Sequence, residues 1–230
     1  MSSLLQTAAA STSRREFFKR AGFGLGALTV VGSLQACDSD DTTDGDAVVL
    51  DFSSDVGVLN YAYALEQLEA GFYATVVGNS AFATTFNSDE QAILRDLAAH
   101  EGIHRDFFKA AIMGAGATPI PSLTPDFSSI NFASRASVLG TAQVFEDLGV
   151  SAYNGAGKYI SNDTYLTLAG KIVSVEARHA SVIAGLLETN SIAASGQINS
   201  QGLDKALPPA TVLSAAGTYI KDTIQVRNAS

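Results

Sequence analysis

Four long stretches of this chain repeat apolar residues at intervals of three and four, the spacing of one face of an α-helix, and so predict four helices. The first, about Asp55 to Val77, carries Leu59, Ala62, Tyr73 and Val76 on one stripe, after candidate caps at Ser53 and Ser54. The second opens at Ser88-Asp-Glu-Gln91, which reads as a capping box, and runs to about Met113 with Ile93/Leu94, Leu97, Phe108 and Ile112 inward. The third, about Phe132 to Tyr159, shows Leu139, Ala142, Val150 and Tyr153; the fourth, about Asp163 to Glu188, shows Leu168/Ala169, Ile172, Ile183 and Leu186. Gly114, Gly116, Pro119, Pro121 and Pro125 predict a long connection over 114–131. Pro208-Pro209 favours the first turn of a fifth helix continuing towards Val226. Short, long and short connections predict an all-α four-helix bundle, with a long crossover between helices 2 and 3 and a short fifth, C-terminal helix.

Acids and imidazoles interrupt each stripe. Glu101-Gly-Ile-His104 and Glu176-Ala-Arg-His179 repeat Glu-x-x-His 75 residues apart and use two of the three histidines. Residues i and i+3 lie about 60° apart on a helix, so carboxylate and imidazole can share one ion. Glu66 and Glu146 complete a quartet. Their segments align as an internal repeat, Glu66 with Glu146, Leu68 with Leu148 and Tyr73 with Tyr153, while Glu69 falls opposite Gly149. The order Glu, Glu-x-x-His, Glu, Glu-x-x-His is the ligand inventory of a dinuclear carboxylate site inside a four-helix bundle.

Depth supports that reading. Glu66 lies 12 residues before Gly78 and Glu101 lies 12 after Asp89, which places both about 18 Å below one hairpin turn. Glu146 and Glu176 stand at comparable depths in the second hairpin, 14 residues before Ile160 and 13 after Asp163. Four carboxylates at one depth repel strongly as bare anions, so metal or protons must compensate them. A protonated polar core without metal is the bland alternative. Tyr73 and Tyr153 each follow a candidate ligand by seven residues. They read as hydrogen-bond donors to ligand carboxylates, as electron donors, or as ordinary bundle aromatics. Glu69 shares the inner face of the first helix, three residues after Glu66, and is the lesser candidate. His100 points about 100° away from the stripe, which predicts a core-edge residue and no ligand.

Charge and the N-terminus set the location. Ser13-Arg-Arg-Glu-Phe-Phe-Lys19, with Arg14 and Arg15, resembles a twin-arginine export signal, and a short apolar run follows from Ala21 to Ala36. Leu34-Gln-Ala-Cys37 resembles a lipoprotein-processing site, which makes Cys37 the lipid-bearing first residue of the mature chain. It is the only cysteine, so disulfides and thiolate metal sites are excluded. Residues 1–37 are thus expected to be a signal peptide, 38–52 an acidic flexible tether and 53–230 the folded domain. Of 14 Lys+Arg and 23 Asp+Glu, four and one lie in residues 1–37, leaving 10 against 22 and a net charge of −12. That balance argues against nucleic acid and against adhesion of the domain to anionic lipid, leaving the lipid anchor as the membrane contact. The expected location is the periplasm or cell envelope, and a twin-arginine route would let metal be acquired in the cytoplasm before export.

From about residue 53 to 225 the quartet and its connectivity resemble the ferritin-like superfamily, most closely the bacterial exported ferritin-like domain proteins. The resemblance implies two iron or manganese ions held by Glu66, Glu101, His104, Glu146, Glu176 and His179, with dioxygen or peroxide as partner and ferroxidase- or peroxidase-like chemistry. It implies Glu69 as an extra carboxylate of the kind the rubrerythrins switch with oxidation state. It also includes non-catalytic envelope proteins linked to desiccation stress, so whether this chain is an enzyme stays open. No catalytic side chain is singled out, and homo-oligomers remain compatible, although a tether and anchor oppose a closed storage shell.

Overall fold

The structure is a computed structural model and describes residues 47–188 and 191–229. Arg14, Arg15, Cys37 and residues 38–46 of the expected tether lie outside the described residues. The described elements are β1 (Val48–Asp51), α1 (Asp55–Gly78), the single turn α2 (Phe82–Thr85), α3 (Ser88–Gly114), α4 (Arg135–Ala156), α5 (Asp163–Leu187), α6 (Pro209–Ala216) and β2 (Ile224–Arg227). Short 3-10 turns at Gly157–Tyr159 and Gly217–Tyr219 extend α4 and α6. The fold is the expected helical bundle. None of the described helices is long and apolar enough to cross a membrane.

Local chemistry sets the helix ends. Asn87, one residue before the expected cap, accepts hydrogen bonds from the backbone N–H groups of Asp89 and Glu90, each at 3.0 Å. Glu90 returns the bond by accepting from the Asn87 N–H at 3.0 Å, so the capping box starts at Asn87 and not at Ser88. The other oxygen of Glu90 accepts from Arg135 Nε at 2.6 Å, and Arg135 also donates to the Leu186 carbonyl at 2.7 Å. One ion pair thereby ties the start of α3 to the start of α4 and the end of α5. Ser134 and Asn162 cap α4 and α5 by side-chain acceptance alone, Ser134 from the Ser137 N–H and Asn162 from those of Thr164 and Tyr165.

The bundle is two antiparallel hairpins, α1 with α3 and α4 with α5, packed face to face. α1 is buried nearly all round, with 16 of its 24 residues inaccessible, because the crossover covers the face its neighbours leave free. Asn60 and Gln67 hold it there. Their side-chain oxygens accept from the N–H groups of Ile120 and Leu123, both at 2.8 Å. Seven residues apart, they stand two turns along one face of α1.

Two expectations need correction. The tether does not extend to residue 52, because Val48–Asp51 pairs in parallel with Ile224–Arg227, Val48 opposite Ile224 and Asp51 opposite Arg227. The fifth helix ends at Ala216 and does not run towards Val226. After the 3-10 turn, Ile220 bridges Pro125 of the crossover and the β-branched Ile224 and Val226 enter the strand. The N-terminal strand crosses closely over α1: a Cβ on Gly57 would lie 1.5 Å from the Asp51 carbonyl oxygen, so only glycine fits there.

Candidate metal centre

Glu66 on α1, Glu101 and His104 on α3, Glu146 on α4 and Glu176 and His179 on α5 meet at the middle of the bundle, all six buried. The four glutamates have no solvent exposure at all. They form two overlapping groups, Glu66, Glu101, His104 and Glu176 on one side and Glu101, Glu146, Glu176 and His179 on the other. Glu101 and Glu176 belong to both.

The two halves are near-copies of each other. His104 Nδ1 lies 2.7 Å from Glu176 Oε1, and His179 Nδ1 lies 2.7 Å from Glu101 Oε1, each imidazole reaching the carboxylate of the opposite Glu-x-x-His helix. Each also lies 3.5 Å from the glutamate three residues before it. The remaining contacts are 3.6 Å from His104 Nδ1 to Glu66 Oε2 and 3.5 Å from His179 Nδ1 to Glu146 Oε2. The tyrosines cross over as well. Tyr73 on α1 donates to Glu146 Oε1 at 2.5 Å, and Tyr153 on α4 donates to Glu66 Oε1.

Whether these residues suit a pair of cations is decided by the atoms left over. Glu66 Oε2, Glu146 Oε2, both oxygens of Glu101 and of Glu176, and Nδ1 of His104 and His179 are buried without an aligned hydrogen-bond partner. They approach one another to 2.7–3.6 Å, and the ligand atoms of each group all lie within 4.8 Å of one another. Buried oxygens and ring nitrogens gathered this closely, with no other partner among the described residues to satisfy them, make a ligand set. Four donors fall to each half, every inward carboxylate oxygen is used once, and the outer oxygens of Glu66 and Glu146 are taken by tyrosines. The residues fit metal, with oxygen and nitrogen donors and no thiolate among them.

Protons compensate the same charges when no cation does. Burial alone would push His104 and His179 down, but close contacts with Glu101 and the neighbouring carboxylates outweigh it and raise both to about 12. Burial would raise Glu101, yet the two imidazoles hold it at about 2. Glu146 is pushed up to about 8 by burial, with Glu101 and Glu176 adding to the shift, and Glu66 is raised well above its usual range for the same reasons.

Glu69 belongs to neither group. It is buried, its acidity suppressed by burial and by four neighbouring carboxylates, and an oxygen lies 3.0 Å from where a Cβ on Gly149 would stand. The residue opposite it in the repeat is thus the one it packs against. His100 is exposed and outside both groups, as its direction predicts, but it is not solitary. Its Nδ1 lies 2.9 Å from Nε2 of His179, a contact the sequence reasoning missed. The signal was in the helix geometry: a side chain 100° off the inner stripe of α3 lands on the seam with α5.

Fold and site together define a helical-bundle protein with a buried cluster of four glutamates and two histidines at its centre, in two overlapping groups that could hold metal. The sequence profile of the ferritin-like domain matches residues 54–189, more than half of the chain, and the chain belongs to that family. No curated protein matches it.

Proposed function

We propose that the domain is a dinuclear iron or manganese protein that reacts with dioxygen or peroxide, in the manner of a ferroxidase or peroxidase. The observation that carries this reading is the pair of four-donor groups sharing Glu101 and Glu176. A pair of such ions, when bound, supplies one electron per centre to an oxidant. The chain's own residues do the rest. Glu101 and Glu176 offer one oxygen to each half and so couple the two positions. Tyr73 and Tyr153 keep their protons, because burial and the adjacent carboxylates raise them well above the usual phenol range, and each fixes one oxygen of Glu146 or Glu66.

Two cavities flank the cluster. A groove of about 450 Å³ between α3 and α5 brings His104 and His179 to its wall beside Asp96, His100 and Arg178, the polar members of an otherwise apolar lining, and gives an ion a route to the ligand imidazoles. On the Tyr153 side, Leu59, Ala62, Phe108 and Ala169 line an almost wholly apolar cavity, which suits an uncharged diatomic better than an ion. Anaerobic loading of residues 47–230 is expected to bind two Fe(II) or Mn(II) per chain. The iron-loaded domain should oxidise Fe(II) faster than buffer does, or consume peroxide. Uptake below about 0.2 equivalents would overturn the metal assignment, and full loading without either turnover would leave a non-enzymatic metal protein.

We further propose export by the twin-arginine route and lipid anchoring through Cys37, on the strength of the N-terminal sequence alone. Arg14→Lys with Arg15→Lys should trap the precursor in the cytoplasm, and Cys37→Ala should abolish labelling by a lipid precursor while export continues. Normal export of the first variant, or labelling of the second, would remove the corresponding half of the claim.

A further inference from the structure

We propose that His100 fixes the tautomer of His179 and thereby makes the Glu146–His179 half of the centre the tighter ion position. The inference rests on the dinuclear reading above. A neutral imidazole carries one N–H, so a ring that ligates through Nδ1 must hold its proton on Nε2 and needs an acceptor there. His179 has that acceptor. Its Nδ1 faces Glu101 at 2.7 Å and its Nε2 lies 2.9 Å from Nδ1 of His100. The ring planes are 16° apart with centroids 5.2 Å apart, so the nitrogens approach far closer than the rings do. The two imidazoles therefore meet edge to edge in nearly one plane, which is the geometry of an N–H···N bond and not of face-to-face stacking.

His104 has no counterpart. In the repeat, His100 precedes Glu101 as Val175 precedes Glu176, so Val175 occupies on α5 the place His100 occupies on α3. Both line the groove that exposes the ligand imidazoles. Valine offers no acceptor, and among the described residues His104 Nε2 has no protein hydrogen-bond partner; its ring is the more open of the two, 11% exposed against 5%. In the other contacts the halves match within about 0.1 Å, 2.7 with 2.7 and 3.6 with 3.5. Residue 100 against residue 175 is the asymmetry that acts on a ligand. His100 is a positioning residue: it touches no ion and acts through His179.

Losing such an outer partner typically weakens metal binding about 10- to 100-fold. Anaerobic Mn(II) titration of the wild-type domain, followed by calorimetry and by the spin-resonance signal of free Mn(II), should show two steps separated by roughly that factor. Glu146→Ala should remove the tighter step. His100→Val copies the Val175 side and should merge the two steps into one while total uptake stays at two ions. His100→Asn sets an amide oxygen near the position of the ring Nδ1 and should restore the separation, which a general loss of fold would not do. His100 is exposed, so both variants should melt like the wild type when metal-free. A single step in the wild-type protein, or steps still separated in His100→Val, would overturn the inference while leaving two-ion binding intact. No uptake by the wild type would remove the dinuclear reading itself.

Discussion

Replacing Glu101 or Glu176 by alanine is expected to abolish binding of both ions, whereas Glu66→Ala and Glu146→Ala should each lose one and Glu69→Ala neither. The grading follows from how the donors are shared. Glu101 and Glu176 stand in both four-residue groups, Glu66 only in the one with His104, and Glu146 only in the one with His179. Glu69, three residues from Glu66 on the same helix, reaches α4 at Gly149 and not the centre. Burial, and after it the neighbouring glutamates, raise its carboxyl well above the usual range, and it stands in neither group of donors, so its loss removes no ligand. The measurement is metal content after anaerobic loading and gel filtration, with the thermal midpoint of each metal-free variant as a check on folding. Glu66→Ala and Glu146→Ala remove a carboxyl whose pKa is raised in the metal-free site and should leave the bundle folded, whereas Glu101→Ala removes the partner of both imidazoles and is expected to lower the metal-free midpoint. Two ions retained by Glu66→Ala and one lost by Glu69→Ala would show that the repeat alignment assigns the wrong glutamate of α1.

That alignment illustrates what was legible in the sequence. The i and i+3 geometry of a helix fixes Glu101 with His104 and Glu176 with His179 whatever surrounds them, and equal distances from the hairpin turns bring all four glutamates level. Both are properties of single helices, readable one helix at a time. Relations between helices were harder. Tyr73 lies seven residues beyond Glu66, about 10 Å along the axis, too far to reach its own helix's ligand. Its hydroxyl goes instead to Glu146 on α4, while Tyr153 answers from α4 to Glu66. The direction of His100 was predictable, but not that α5 would place His179 against it. The parallel pairing of Val48–Asp51 with Ile224–Arg227 joins segments at opposite ends of the domain, and neither four-residue segment announces its partner. Acidic residues just before Val48 favoured a tether, which strand pairing overrode; the double proline does start α6, and only its continuation past Ala216 gave way to the strand.

Loading the metal-free domain with two divalent ions near neutral pH is expected to release about four protons per chain. His104 and His179 each hold one that the ligating nitrogen must give up, since their carboxylate contacts raise them to about 12. Glu146, raised to about 8, and Glu66, raised well above its usual range, hold two more. Four protons carry the charge of two divalent cations, so the buried site has the same total charge loaded and unloaded. That equality lets four carboxylates and two imidazoles coexist without solvent in either state. Stability follows with a definite sign. His104, His179, Glu146 and Glu66 all have folded-state values above their unfolded ones, so their contribution is complete below the unfolded value and is lost as pH rises through the folded one. Glu101, held at about 2, works oppositely and matters only as pH falls below about 4.5. The thermal midpoint of the chelated protein should therefore fall steadily as pH rises from about 5 through 8. In the metal-loaded protein the ligand histidines hold no proton on the ligating nitrogen, whereas their unfolded counterparts take one up below about 6.5. That form should gain stability towards neutral pH and then level off. Proton release can be read by calorimetry in buffers of different ionisation enthalpy, or with an indicator dye in weak buffer. Fewer than about one proton per ion, or a chelated protein that gains stability with rising pH, would mean that the glutamates are already ionised and the imidazoles neutral before metal arrives.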